Sequence, residues 1–363
     1  MSFDLILPFF RPIEHLLLSD TVSEIMVNPD SSVWIEEDGE KVHLHRIRFE
    51  QGALEAGLEV IANRFGKKLD SDSPIMNLRL PDGSRLAAII PPVVNPHPLL
   101  TIRKFTSRKL KMEDLVAQEF VTAEAGAWLQ DAVQRGDNIL VSGGTGAGKT
   151  TLLNVLSGYI PNSERIVSIE DAAELQLKQE NIVRLETRPP NIEGKGEIRQ
   201  RELVKNALRM RPDRIIIGEC RGEEAFDMLQ AMNTGHEGSM TTIHANPPRD
   251  ALKRLEQMVA MAGMATTVAS IRSQISSAIT LAIQLQRLPD GKRRVTSVSE
   301  ITGMEDEVIQ MQEIYRFVKE STDDAGNIHG SFMATGVQPN FLKELKAYGI
   351  SLPDSHFDPS RRL

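Results

Sequence analysis

A single cysteine, Cys220, stands among 363 residues. One thiol excludes an intrachain disulfide and any multi-cysteine zinc module, and it fits a reducing compartment. Aromatics are scarce, with two tryptophans and three tyrosines. No stripe of aromatic and basic side chains runs along the chain, so a base-stacking nucleic-acid groove is not expected. The formal net charge of −8 weighs the same way, and nucleic acid is not an expected partner. No run approaches the ~20 apolar residues of a membrane span. The first ten residues lack the basic start of a signal peptide. These absences predict a cytoplasmic protein without an integral membrane segment, reaching a membrane only through partners. There is no internal repeat and no low-complexity tract, and the length suffices for two domains.

Residues 1–106 read as a small α+β domain. Val33, Trp34 and Ile35 face Val42, His43 and Leu44 across a Gly-containing turn, and 78–80 face 86–90 across Pro81, Asp82, Gly83 and Ser84. Leu54, Leu58, Ile61 and Phe65 have helical spacing, and 99–103 read as a further strand. The charged stretch 107–121 reads as a linker. A helix then follows Thr122, with Trp128, Leu129, Ala132 and Val133 on one face and Gly136 as its C-cap. Apolar runs at 139–141, 166–169, 215–217 and 240–243 alternate with helices, the pattern of parallel strands covered on both faces. Residues 122–363 are therefore expected to form a doubly wound α/β nucleotide-binding core. The Gly/Pro-rich stretch 187–198 reads as a mobile loop. Met258, Met261 and Met264 share helical spacing with Leu252, Leu255 and Val259, which predicts core or subunit-interface packing. A further β-like region spans 281–298.

The richest chemistry lies in Gly143, Gly144, Thr145, Gly146, Ala147, Gly148, Lys149 and Thr150, between an apolar strand and a helix. That context is what a phosphate-binding loop requires. Glycines let backbone N–H groups converge on phosphate oxygens, and the helix N-terminus adds partial positive charge. Lys149 is placed to reach β- and γ-phosphates, the Thr150 hydroxyl to hold Mg²⁺, and Thr151 continues the cradle. Hydrolysis needs more: acids for Mg²⁺ and water, and a sensor of the γ-phosphate. Glu170, Asp171 and Glu174 follow one strand, where α/β sheets place ligands. Acids also favour a helix start for structural reasons. Glu219 ends another strand and is a candidate to polarise the attacking water. His244 ends a third, as a phosphate sensor or a structural hydrogen-bonder. Arg85 and Arg103, on strands of the first domain, are candidates to approach the γ-phosphate from a neighbouring domain or subunit.

Together these segments resemble the secretion ATPases of the type II/type IV secretion superfamily. Residues 143–150 look like the Walker A box, 170–174 like the Asp box, 215–221 like an atypical Walker B box and 241–246 like the His box, in the family's order. The segments 188–196, 229–236, 243–246 and 299–305 are most similar to the Tad/Flp pilus assembly branch, the CpaF-like ATPases, and the likeness continues through 25–28, 83–85 and 101–105. Many members of that branch carry a longer helical N-terminal extension, whereas this sequence starts almost at the first domain, and it has Glu223 where a second glycine is usual. Conjugation-type ATPases also start short.

The resemblance implies a RecA-like P-loop ATPase core behind a smaller α+β N-terminal domain. It implies a homo-hexameric ring that uses ATP and Mg²⁺ and acts on inner-membrane platform proteins of a pilus or secretion machine. It makes Glu219 the general base, with Glu170 as the exchangeable alternative. Glu170, Asp171 and Glu174 become the acids around Mg²⁺, His244 the sensor, and Arg85 and Arg103 γ-phosphate contacts. An ATPase of a conjugation or effector type IV secretion system is the alternative reading. A non-hydrolysing P-loop switch and a nucleic-acid translocase are more distant ones.

Overall fold

In a computed structural model, the described residues are 6–37, 39–50, 52–105, 110–191, 194–263, 266–340, 342 and 357–360. The chain divides into two units, Met1–Lys109 and Leu110–Leu363. The first opens with a 3₁₀ stretch, Leu7–Ile13, and α1 (Glu14–Leu18). Three strands follow: β1 (Val22–Val27), β2 (Val33–Glu37) and β3 (Glu40–His43). Then come α2 (Ala53–Arg64), β4 (Ile75–Arg79), β5 (Arg85–Ile89) and β6 (Leu99–Arg103). The strands form one antiparallel sheet in the order β3-β2-β1-β6-β5-β4. Alternation decides its faces. Leu78, Leu86, Ala88, Leu100 and Ile102 turn inward onto Leu58 and Ile61 of α2 and onto Phe10 and Ile13. The two expected hairpins, the helix and the strand 99–103 are all present. Gly83 takes the positive φ of +92° that the β4–β5 turn needs.

The second unit begins with α3 (Met112–Ala117) and α4 (Ala123–Arg135). The stretch expected as linker is thus not simply a connector. Met112, Leu115, Phe120 and Val121 are buried in this unit's core. The many charges of 107–121 hid this short apolar face. The Thr122 hydroxyl accepts the Ala125 N–H at 3.3 Å, and Gly136 closes α4 at φ +93°.

The central strands are β7 (Ile139–Gly143), β8 (Ile166–Glu170), β9 (Ile182–Glu186), β10 (Arg214–Cys220), β11 (Met240–His244) and β12 (Leu281–Arg287). β13 (Arg293–Glu305), β14 (Val308–Thr322) and β15 (Ile328–Ala334) complete the sheet, in the order β15-β14-β13-β12-β7-β11-β10-β8-β9. From β12 to β9 every pairing is parallel, and from β12 to β15 antiparallel. The helices are α5 (Lys149–Ser157), α6 (Gln200–Ala207), α7 (Glu224–Asn233), α8 (Pro248–Met261) and α9 (Val268–Ala278).

Successive residues of the apolar strands feed opposite faces. Ile139 and Val141 pack with α4 and α5, whereas Leu140 packs with α6 to α9. This is the doubly wound arrangement that the apolar runs predict. In α8, Met258 is buried and Met261 is exposed, and Met264 lies outside the described residues. The described part of the 187–198 loop is closed at its base by two backbone hydrogen bonds between Arg188 and Ile198. Among the described residues no helix is long and apolar enough to cross a membrane.

Candidate active site

Open parallel sheets present ligands at the carboxyl ends of their strands, and here those ends carry the candidate side chains. β7 runs directly into the glycine-rich loop, and α5 starts at Lys149. Gly146 and Gly148 have φ of +70° and +95°. A Cβ on Gly148 would stand 2.8 Å from the Phe120 ring, and one on Gly143 2.8 Å from the Leu285 carbonyl oxygen. Glycine is required at both places, by backbone conformation and by space at 148 and by space at 143. The Lys149 ammonium lies at the loop, donating to the carbonyls of Gly143 (3.1 Å) and Gly144 (3.0 Å). His244 ends β11 in register with Gly143, so the exposed imidazole stands one strand from the loop.

β10 lies two strands from the loop. Its pairing with β11 steps from Ile217↔Thr241 to Cys220↔Ile243, a bulge that falls on Gly218 and Glu219. A bulge re-aims the side chain it carries. The Thr242 hydroxyl donates to the Gly218 carbonyl at 2.7 Å, and Gln200 donates to the Glu219 carbonyl at 2.9 Å, fixing its shape. The Glu219 carboxylate accepts from Arg221, whose other arm reaches Asp171 at 2.7 Å. Arg221 thereby ties the end of β10 to the end of β8.

Glu170 ends β8 and is only 4% exposed. Burial pushes its pKa up to about 7 and the nearby Glu174 and Glu186 carboxylates add to the rise, although Oε1 accepts the N–H groups of Glu174 (2.8 Å) and Leu175 (3.0 Å). Gly218 makes room for it, since a Cβ there would stand 3.1 Å from Glu170 Cγ. The following loop is anchored to α5. The Gln176 N–H donates to Asn154 Oδ1 at 2.8 Å, and Gln179 donates to the Ser157 and Ile160 carbonyls. Asn154 is four residues beyond Thr150 and so on the same helix face. The anchor ties the segment following Glu174 to the face of α5 that carries Asn154 and Thr150.

The second unit therefore gathers the 143–151 segment, His244, Glu219, Glu170, Asp171 and Glu174 along one edge of its sheet. Arg85 and Arg103 belong to the first unit, where β5 and β6 set them directly opposite each other. Arg79 on β4 faces Arg85 in turn. Arg103 in turn faces Glu24 of β1 and pairs with its carboxylate at 3.6 Å. The two-residue alternation of β4 and β5 was the signal for Arg79. In the second unit, Arg287 and Arg293 pair across the β12–β13 hairpin and pack beside Gly146 and Gly148. The hydroxyl and carboxylate oxygens of Thr150, Glu170 and Glu174 are hard donors of the kind Mg²⁺ accepts. Mg²⁺ takes one or two protein oxygens with waters and phosphates rather than a dedicated cage. Among the described residues no three His, Cys, Asp or Glu side chains form such a cage.

The family model for "Type II/IV secretion system protein" matches residues 10–328. The conjugal transfer protein TrbB of Rhizobium radiobacter is 37% identical over 287 residues, covering 78% of this chain and 84% of its own. The type IV secretion system protein VirB11 of Bartonella henselae is 32% identical over 335 residues, covering 81% and 92%. In shape, the chain is similar to the crystallised ATPase DotB of Legionella pneumophila, with a TM-score of 0.57 at 21% identity over 82% of this chain and 81% of that one. The last likeness is one of fold alone. By the reach of the family model and the identity to these relatives, the chain belongs to the type II/IV secretion system protein family.

Proposed function

We propose that this chain is an ATP hydrolase that works as a six-subunit ring and drives a secretion, conjugation or pilus machine at the inner membrane from the cytoplasmic side. The observation that carries the proposal is the alignment of the glycine-rich loop, His244, Glu219 and Glu170 on the ends of adjacent parallel strands. The 143–151 amides and Lys149 bind the phosphates of ATP. Bound Mg²⁺, held through Thr150 with Glu170, Asp171 and Glu174 around it, would neutralise the charge that develops between the β- and γ-phosphates. Glu219 accepts a proton from water as the water oxygen attacks the γ-phosphorus and the bridging oxygen leaves with ADP. His244 hydrogen-bonds the γ-phosphate and registers its departure. Arg85 and Arg103, with Arg79 beside them, neutralise the same phosphate from a first unit, in cis or from a neighbour.

A second assignment of the base has its own support. A base poised near neutrality is the more effective, and Glu170 is pushed to about 7. Glu219 stands one strand nearer the loop. Glu219→Gln and Glu170→Gln, compared in single turnover with ATP binding measured separately, decide between them. The base variant binds ATP and does not cleave it. For the machine served, the names of the relatives favour conjugal transfer or type IV secretion, and the residues at 188–196 and 299–305 favour a Tad/Flp-type pilus. Neighbouring genes distinguish the two: channel and relaxase genes for the first, pilin and platform genes for the second. Lys149→Ala tests the whole reading. Turnover is expected to vanish, and retained turnover overturns the loop's role.

A further inference from the structure

β12 reads Leu281, Ala282, Ile283, Gln284, Leu285, and the first five residues of the strand are buried. One amide in an otherwise apolar run needs a reason, because an unpaired buried amide is costly. Gln284 is 4% exposed and fully engaged. Its Oε1 accepts the Ser142 hydroxyl at 2.5 Å. Its Nε2 donates to Asn246 Oδ1 at 2.5 Å and to the Leu285 carbonyl at 3.1 Å, with the Ala245 carbonyl at 3.3 Å.

These partners belong to different strands. Ser142 is the residue of β7 just before the glycine-rich loop, and Ala245 and Asn246 directly follow His244 at the end of β11. β12 neighbours β7, and β11 lies beyond β7. The Gln284 amide thus reaches past the loop's own strand to the exit of the next. Asn246 completes the linkage, since its Nδ2 lies 3.3 Å from where a Cβ on Gly144 would stand. On the other side a surface cavity of about 280 Å³ is lined by Asn246, Pro247, Gln284, Gln286, Thr296 and Ser297, so Asn246 has room to shift.

We infer that Gln284 is a positioning residue. Through Asn246 it sets the distance between His244 and the glycine-rich loop, so that loss of the γ-phosphate is felt at both strand exits together. The inference rests on the hydrolysis proposed above. It assigns Gln284 no contact with nucleotide, so its removal should spare binding and impair turnover.

The test uses Gln284→Met, which keeps the length and removes the amide, and Asn246→Ala, which breaks the same bond from the exposed end and spares the core. Both are compared with wild type, His244→Ala and the Gln284→Met/His244→Ala double variant, with melting temperature as a fold control. The expected result is nucleotide affinity and KM within about threefold of wild type, kcat down about tenfold to a hundredfold, and a double variant no worse than the poorer single one. Unchanged kcat in folded Asn246→Ala overturns the inference. So does a parallel fall of affinity and kcat, a multiplicative double variant, or a His244→Ala that hydrolyses normally. Wild-type protein that fails to hydrolyse ATP, or Lys149→Ala that succeeds, strikes the underlying reading instead.

Discussion

Glu170 shows how a single residue's surroundings set its chemistry. Its ordinary pKa of 4.5 rises to about 7 because the carboxylate is withdrawn from water. The folded state therefore holds a proton that the unfolded chain has lost between those two values. Stability conferred by that proton is full below pH 4.5 and declines as pH rises to about 7, by up to about 3 kcal/mol. Glu170→Gln removes the decline. Chemical denaturation at pH 5 and pH 8 checks it: the variant should gain on wild type at pH 8, and an equal difference at both values contradicts the assignment. Glu170, Glu219 and His244 were legible as candidates because each stands at the end of an apolar strand, and Lys149 because it closes the glycine-rich loop. The rise in Glu170's pKa was not, because burial causes it, and the close packing of Gly218 of β10 against the side chain is revealed only by the strand pairing. Gln284 was hidden for the same reason: an amide among apolar neighbours carries no periodic signal.

At the scale of elements, apolar runs announced β7, β8, β10 and β11, and alternation announced the hairpins of the first unit. β14 and β15 went unread because their outward positions are polar and irregular, and their partners are set by the long hairpin with β13. α3 was obscured by the lysines and acids around Leu115. The anchoring of the 174–179 loop to α5 is likewise a product of packing. It makes a prediction. Asn154→Ala should leave α5 intact, since alanine favours helix, but release the Gln176 amide and let Glu174 drift. The Mg²⁺ concentration for half-maximal hydrolysis should rise several-fold with ATP affinity little altered, measured by Mg²⁺ titration of turnover. An unchanged Mg²⁺ dependence would detach Glu174 from the metal.

At the scale of the whole molecule, the second unit carries the proposed hydrolytic residues, and the opposed arginines Arg79, Arg85 and Arg103 stand on the first. Whether an arginine serves its own chain's loop or a neighbour's is decided by mixing. Arg85→Ala and Lys149→Ala chains are each expected to be inactive. Mixed together, they regain activity only if an intact loop on one chain is served by an intact arginine on another. Recovery on mixing is the expected outcome, and no recovery places the arginine in cis. The most direct test of the account is Mg²⁺-dependent ATP hydrolysis measured against protein concentration, with mass followed by light scattering and Glu219→Gln run alongside. The account predicts specific activity that rises as a six-subunit mass appears, and its loss in a variant that still binds ATP. Full activity in a monomer at every concentration would contradict it.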